Sequence, residues 1–217
     1  MFKDVIQSQV IGTLKIYDKD SGEVLVQKKN AIHPGNMAYV LASAMAGKPT
    51  TVHDVVGYVP HINWMQFGNG GSVSTTTLSY KSPRVNSTYD ELAITASSSS
   101  LYAPTYEQET VNTVSFPGQD IGGVLVPNNT AKVNFSVDIS HSDYQTAVGG
   151  SIPANDSSVA PDYTFDEIGL LSGVRNSGAT TLDKTKTLML THVTFHPVLL
   201  SANRTIVIDY TITIQIS

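Results

Sequence analysis

The stretch "RTIVIDYTITIQIS", residues 204–217, decides the fold class. From position 206 onward its even positions are all large and apolar: Ile206, Ile208, Tyr210, Ile212, Ile214 and Ile216. The positions between them are mostly polar, with Val207 as the exception. Because successive side chains of a strand point to opposite faces, this pattern predicts one long β-strand with an apolar face and a polar face.

A strand over residues 205–216 would span roughly 40 Å, about twice the length of a usual strand. A strand of this length either lies at the centre of a large sheet or leaves an unpaired edge. An exposed apolar edge promotes aggregation unless another subunit covers it. We therefore predict that the strand is the centre of a sheet and that it extends far enough to contact a neighbouring subunit. The six apolar residues at its even positions are the candidate contact residues.

The composition suits a β protein that packs against copies of itself. The 217 residues include 13 basic and 18 acidic side chains, a net charge of −5, and only 14% of the chain is charged against about 25% in ordinary globular proteins. Serine and threonine are frequent, with 23 of each. Threonine favours strands and serine favours turns. A weakly charged surface also carries little long-range repulsion between copies.

Several function classes are disfavoured by the same composition. The absence of cysteine excludes disulfides and thiolate metal sites. No cluster of basic residues indicates nucleic-acid binding, and no apolar run approaches the ~20 residues needed to cross a bilayer. The opening "MFKDVIQSQV" does not resemble a secretory signal. We expect a soluble protein made in a cytoplasm, with no cofactor and no membrane or nucleic-acid partner.

The first unit along the chain is "IGTLKIYDKDSGEVLVQKKN". Residues 11–18 and 23–29 read as two strands. The cluster "DKDSG" between them is typical of a turn, and Gly22 can adopt a positive φ there. The stretch predicts a β-hairpin.

The next unit, "NAIHPGNMAYVLASAMAGKP", predicts a short helix near residues 36–46. Apolar side chains recur there with helical spacing and define one face: Met37, Val40, Leu41, Ala44 and Met45. Asn36 can cap the start of the helix, and Gly47 can end it.

Further strands are expected in "HINWMQFGNGGS", "VNTVSFP", "AKVNFSVDIS", "YTFDEIGLLSG" and "KTKTLMLTHVTFHPVLL". In the first of these, Ile62, Trp64 and Gln66 should face one way, and Met65 and Phe67 the other. Residues 72–110 read as long loops or an excursion, with a weak strand at best in "ELAIT". The chain is thus predicted to be one mainly β domain over 1–217, an antiparallel β-sandwich or small barrel with five to eight strands and one short α-helix.

Two histidines, His192 and His196, lie four residues apart in a predicted strand. Their separation along the strand is about 13 Å, which is too large for one metal ion without a bend. A polar strand face is the favoured interpretation. The other histidines are scattered, so no metal site is predicted.

Asp166 and Glu167 look like a carboxylate pair, but adjacent strand residues point to opposite faces and cannot flank one substrate atom. We expect one carboxylate to face outward and the other to bond a neighbouring backbone group or cation. The glycines of "FGNGGS" lack the Lys-Ser/Thr of a phosphate-binding loop and do not open a helix, so they predict a tight turn. No catalytic or cofactor-binding residue is predicted, and we expect no enzyme.

Five segments, "NAIHPGNMAYVLASAMAG", "MQFGNGG", "FDEIGLLSG", "LMLTHVTFHPVL" and "TIVIDYTITIQIS", follow one another along the chain. Their order resembles that of structural proteins of tailed bacteriophage particles, in particular baseplate, neck and fibre-attachment components. The resemblance covers the two ends of the chain and leaves 72–110 unmatched. It implies a virion protein that assembles with copies of itself and with other virion proteins into rings or trimers. It transfers no catalytic residue.

Three alternatives remain open. The chain could be a capsid decoration protein. It could be a carbohydrate-binding or receptor-binding β-sandwich, in which tyrosines of the middle segment, Tyr80, Tyr89, Tyr102 and Tyr106, form a cleft. A hydrolase would need a clustered acid–base pair that the sequence does not show.

Overall fold

A computed structural model describes residues 7–47, 59–74, 77–85, 100–140, 163–175, 182–201 and 204–217. Within them the chain forms fifteen strands and one helix. In chain order these are β1 (Ser8–Asp18), β2 (Val24–Lys29), β3 (Ala31–Ile32), α1 (Pro34–Ala46), β4 (Trp64–Gly68), β5 (Ser72–Ser74), β6 (Leu78–Tyr80), β7 (Pro104–Glu109), β8 (Val111–Ser115), β9 (Asp120–Ile121), β10 (Val124–Leu125), β11 (Thr130–Ser140), β12 (Tyr163–Ser172), β13 (Leu188–Met189), β14 (Thr191–Leu200) and β15 (Thr205–Ile216). The number exceeds the five to eight expected because six strands have only two or three residues, which apolar periodicity does not detect, and because β7 lies in the predicted excursion.

The strands build two antiparallel sheets. Sheet I has the order β2-β1-β15-β11-β8, and sheet II the order β3-β14-β12-β4-β7 with β13 paired to β12. Two further pairs of short strands, β5–β6 and β9–β10, form separate two-stranded ribbons. One apolar core contains side chains of both sheets, for example Ile208 of sheet I and Phe165 of sheet II. The predicted mainly β fold with one helix is confirmed; it is sandwich-like, and no closed barrel forms in the described residues.

Strand β15 is the centre of sheet I, as its pattern predicts. It pairs with β1 from Ile206 to Ile216 and with β11 from Thr205 to Gln215. Four of its even-numbered residues are buried in the core of this chain: Ile206, Ile208, Tyr210 and Ile212. Ile214 is partly buried, and Ile216 is 49% exposed. Of the six candidate contact residues, only these last two reach the surface, and contact with a neighbouring subunit stays a prediction.

The predicted hairpin is confirmed as β1 and β2. Gly22 lies between them with a φ of 72°, and the Asp18 carboxylate accepts the N–H of Ser21 at 2.8 Å. The chain then changes sheets four times, between β2 and β3, β7 and β8, β11 and β12, and β14 and β15. It leaves sheet I at Asn30, between β2 and β3, and returns to it at Thr110, between β7 and β8. These two crossings lie on opposite sides of the sandwich.

The predicted helix is present, but it begins earlier than expected. His33 is the N-cap, because its Nδ1 accepts the N–H of Asn36 at 3.1 Å and Pro34 opens the first turn. Asn36 is therefore not the cap; it is buried, and its side-chain amide donates to the carbonyl of Met189 at 2.9 Å. Gly47 ends the helix with a φ of 59°, as predicted.

The buried face of α1 is also rotated from the predicted one. Met37 and Val40 are buried, but Ala44 and Met45 are exposed, Met45 at 89%. Asn36, Tyr39 and Ser43 are buried beside Met37 and Val40. The prediction fails at Ala44 and Met45 because the buried face of the helix continues through Ser43 instead.

Strand β4 separates two apolar clusters. Met65 and Phe67 belong to the core between the sheets, whereas Trp64 packs on the other face of sheet II with Leu101, Leu171, Leu182 and Met189. The predicted alternation is confirmed from Trp64 onward. Ile62 packs instead against the main core because it lies before the strand begins.

The predicted excursion, 72–110, is more ordered than expected where it is described. It contains the ribbon β5–β6 and the edge strand β7. Its parts around residues 81–84 and 100–103, and the turn at 69–72 that leads into it, bond to side chains on the outer face of sheet II. Residues 75–76 and 86–99, which include the weak strand "ELAIT", lie outside the described residues.

Candidate functional site

The outer face of sheet II carries a cluster of buried titratable side chains: Asp166 and Glu167 of β12 and His192 of β14. Their exposed fractions are 4%, 0% and 0%. We call them the carboxylate–histidine cluster. A buried acid–base group of this kind is the first place to look for catalysis, because active sites concentrate such groups.

Asp166 and Glu167 lie on the same face of the sheet, so the prediction that they point to opposite faces is wrong. The pairing of β12 with β14 shifts register between Phe165 and Glu167. Phe165 and Ile168 both enter the main core although they are three residues apart. The two residues between them therefore both face away from the core. The expectation that one carboxylate faces solvent also fails.

Glu167 has a partner for each of its acceptor positions. Its Oε1 accepts the N–H of Ala103 at 2.8 Å and of Gly70 at 3.2 Å. Its Oε2 accepts the N–H of Tyr102 at 2.9 Å and lies 3.0 Å from His192 Nε2. Burial by itself would raise the pKa of Glu167, but the hydrogen bonds from His192, Ala103 and Tyr102 together outweigh it and lower that pKa.

The hydrogen bonds of His192 fix its tautomer. Its Nδ1 accepts the backbone N–H of Arg84 at 2.8 Å, so that nitrogen carries no proton. The proton is then on Nε2 and is donated to Glu167. A general base needs a free lone pair that faces the substrate. Both nitrogens of His192 are occupied within the protein, and the ring offers no such lone pair.

Asp166 binds the turn that follows β4. Its Oδ1 accepts the N–H of Gly71 at 2.7 Å, and its Oδ2 accepts the N–H of Ser72 at 2.8 Å together with the Ser72 hydroxyl proton. The predicted tight turn in "FGNGGS" is confirmed. Its amide groups, which in a phosphate-binding loop would face a ligand, donate here to carboxylates of the same chain.

The glycines of this turn are required by close packing rather than by backbone angles. A Cβ on Gly71 would lie 2.6 Å from the backbone oxygen of Asp166, and one on Gly68 would lie 2.6 Å from that of Ala103. Both distances are shorter than carbon–oxygen contact allows. The turn can reach the two carboxylates only because these positions have no side chain.

Tyr102 links the cluster to the rest of the excursion. Its ring lies 3.8 Å from the guanidinium carbon of Arg84 and 4.5 Å from Nζ of Lys81. Its hydroxyl donates to the carbonyl of Ser82 at 2.9 Å, and the Thr194 hydroxyl of β14 donates to that of Lys81 at 2.9 Å. The cluster therefore fastens the excursion to sheet II, which is a structural role.

The two strand histidines do not share a site. His192 is buried against Glu167, whereas His196 is exposed with its Nδ1 3.5 Å from the hydroxyl of Tyr80. In the part of the chain that the structure describes, no group of three or more side chains could hold a metal ion. His196 is thus exposed to solvent, whereas His192 lies among polar partners beneath the excursion.

The tyrosines of the middle segment lie in different environments. Tyr106 is buried in the main core, and the ring of Tyr102 lies against the charged groups of Arg84 and Lys81. Tyr80 is 48% exposed, with its ring 5.1 Å from Nζ of Lys28. Tyr89 lies outside the described residues. The three described tyrosines do not line a common cleft.

A second candidate site is an exposed apolar surface at the β8 edge of sheet I. It consists of Val111, Val114, Phe116, Ile121, Val124 and Leu125, which are 71%, 47%, 62%, 45%, 65% and 64% exposed. We call it the apolar edge surface. Its last three residues lie on the β9–β10 hairpin, whose two-residue turn is formed by Gly122 and Gly123 with φ values of 60° and 82°.

Charge is nearly absent from this surface. Asp120 is the only charged residue in 111–126, and its carboxylate accepts the N–H of Gly123 at 2.9 Å. Sequence reasoning identified "VNTVSFP" as a strand but missed its exposure, because a strand pattern does not reveal whether a neighbour covers it. The long uncharged run was the available signal.

Comparisons with known proteins give no relative. No family model matches the chain, and no curated protein or solved structure matches it. Within the described ranges, no helix is long and apolar enough to cross a membrane.

Proposed function

We propose that this chain is a structural component of a bacteriophage particle, in its tail, neck or baseplate, and that it acts through subunit contacts in a symmetric assembly. The observation that carries the proposal is the apolar edge surface. Six apolar side chains, each at least 45% exposed, fall within residues 111–125, a stretch with one charged residue. Exposed apolar side chains in such number mark interaction sites, and the centres of protein interfaces are depleted in charge.

The assignment to a phage particle rests on the order of the sequence motifs. Two of these motifs, "MQFGNGG" and "FDEIGLLSG", are in contact in the structure, since Gly70 and Gly71 donate to Glu167 and Asp166. The two motifs therefore form one hydrogen-bonded unit, and this supports treating their order in the sequence as a single feature.

The chemistry of the carboxylate–histidine cluster supports a role without catalysis. Glu167 accepts four hydrogen bonds and His192 makes two, all within the chain. Such a cluster has no free base or nucleophile to offer a substrate.

The test combines mass and location. Light scattering of the purified chain should give masses above 23.3 kDa, and an antibody against it should label the tail, neck or baseplate of particles from the phage that encodes it. A mass of 23.3 kDa at every concentration, together with particles that the antibody does not label, would contradict the proposal.

A further inference from the structure

The sandwich has four sheet edges: β2 and β8 in sheet I, β3 and β7 in sheet II. An edge strand presents unpaired backbone N–H and C=O groups that can pair with another chain. Proteins that stay monomeric block such edges with lysine, proline, other charges or very short strands.

Three of the four edges carry these features. Strand β2 ends in Lys28 and Lys29, and Nζ of Lys28 reaches the carbonyl of Thr194 in sheet II at 2.8 Å. Strand β7 begins at Pro104 and ends at Glu109, whose carboxylate lies 2.7 Å from the guanidinium of Arg175. Strand β3 has only two residues.

Strand β8 has none of them. Its sequence, VNTVS, contains no charge and no proline, and its first four residues are exposed. Within the described ranges, no strand pairs with its outer side. Among the four edge strands of the described residues, β8 alone lacks every one of these blocking features, so a further strand can join the fold there.

We infer that this strand is β8 of a second copy, paired antiparallel across a two-fold axis so that two five-stranded sheets form one. The inference rests on the proposed function, since it names the partner of the apolar edge surface. A two-fold axis places each residue near its own equivalent, so a charged strand would oppose like charges. The neutral sequence of β8 avoids this repulsion.

The register follows from the same symmetry. Pairing centred on Thr113 places Thr113 opposite Thr113 of the second copy, a cross-strand pair that stabilises sheets. It also places Val111 of each copy opposite Ser115 of the other, and Val114 opposite Asn112. Val111 and Val114 are 71% and 47% exposed in the single chain. The pairing would thus give each of these two apolar side chains a cross-strand neighbour.

A single cysteine tests the register, because the chain has no cysteine of its own. Under mild oxidation, Thr113→Cys should give a disulfide-linked dimer as the main product, since directly opposite residues have Cβ atoms about 4.5–5.5 Å apart. The matched control is Gln27→Cys, an exposed position on the opposite edge of sheet I, which should stay monomeric.

A second variant tests the energetics. Thr113→Lys places two lysines opposite each other and should raise the dimer dissociation constant about fivefold or more. Val111→Lys, at another exposed position, should act in the same direction. Because both side chains are exposed, neither change should lower the melting temperature of the chain, and that measurement separates a lost contact from lost folding.

The outcomes distinguish this inference from the proposed function. If the chain self-associates but Thr113→Cys cross-links no better than Gln27→Cys, the pairing through β8 is wrong and assembly through another surface stands. If the chain is monomeric at all concentrations and Thr113→Cys gives no dimer, the pairing is also wrong, and labelling of particles alone then decides the proposed function.

Discussion

Nε2 of His192 lies 3.0 Å from Oε2 of Glu167, and neither side chain is exposed to solvent. The pair joins β14 to β12, and backbone N–H groups of Arg84 and Tyr102 complete it from the excursion. Each of these donors belongs to the chain itself. The pair should therefore be measured through the stability of the fold rather than through turnover of a substrate.

Replacing Glu167 by glutamine should destabilise the protein by about 2–4 kcal/mol, because an amide cannot accept the four hydrogen bonds and leaves buried donors unpaired. Urea unfolding at pH 7 measures the change. The matched control, Glu23→Gln, alters an exposed carboxylate and should stay within about 0.5 kcal/mol. A loss below about 1 kcal/mol for Glu167→Gln would show that the cluster does not hold the excursion.

The same carboxylate should make stability depend on pH. The pKa of Glu167 is lower in the folded protein than its ordinary value of about 4.3, so the unfolded chain binds a proton more readily. The stabilisation of the fold by the ionised Glu167 carboxylate is complete above that ordinary pKa. It is lost as the pH falls through the pKa of the folded state. The difference in unfolding free energy between the wild type and Glu167→Gln should therefore shrink below about pH 4. Urea midpoints at pH 7, 5, 4 and 3 measure this, and a constant difference would refute it.

Gly71→Ala should destabilise the fold by about 2–3 kcal/mol, because the new Cβ would lie 2.6 Å from the backbone oxygen of Asp166 and 2.9 Å from Cβ of Glu167. Gly122→Ala is the control for backbone strain alone. It has a φ of +60° and open space around it, and it should cost about 1–2 kcal/mol. Thermal unfolding of both variants checks the ranking. Equal losses would mean that the turn can move away from the carboxylates.

Local periodicity was sufficient to predict much of the fold. The alternation in β15 and the turn residues between β1 and β2 act over neighbouring residues, and those elements formed as expected. Gly47 ended α1 for the same reason. Features that depend on distant partners were not predictable. Asn36 was predicted to cap the helix, but His33 is the cap. Asn36 is buried instead, because its side chain donates to the carbonyl of Met189 in β13.

The candidate site shows the same limit more clearly. A regular strand would have separated Asp166 and Glu167, and only the register shift against β14 brings them to one face. The groups that donate hydrogen bonds to them come from three other segments of the sequence. Similarly, the pattern of β8 indicates a strand, but its position at an edge depends on which strands pair with β11.

Core and surface positions of β15 should respond differently to truncation. Ile208→Ala should cost about 2–5 kcal/mol, because Ile208 is fully buried in the core of this chain. Ile216→Ala should change the stability of the monomer by less than about 0.5 kcal/mol, since Ile216 is 49% exposed. Urea unfolding checks both values. If Ile216→Ala also weakens self-association, the predicted contact of β15 with a neighbouring subunit gains support. A loss of less than about 1 kcal/mol for Ile208→Ala would contradict its place in the core.

Sedimentation equilibrium tests most directly the claim that this chain works through contacts at its apolar edge surface. The wild type should have a mass above 23.3 kDa that rises with concentration. A variant with Val111, Phe116 and Leu125 replaced by serine should remain at the monomer mass with an unchanged melting temperature. A wild type that stays at 23.3 kDa at every concentration, or a variant that associates as strongly as the wild type, would contradict the claim.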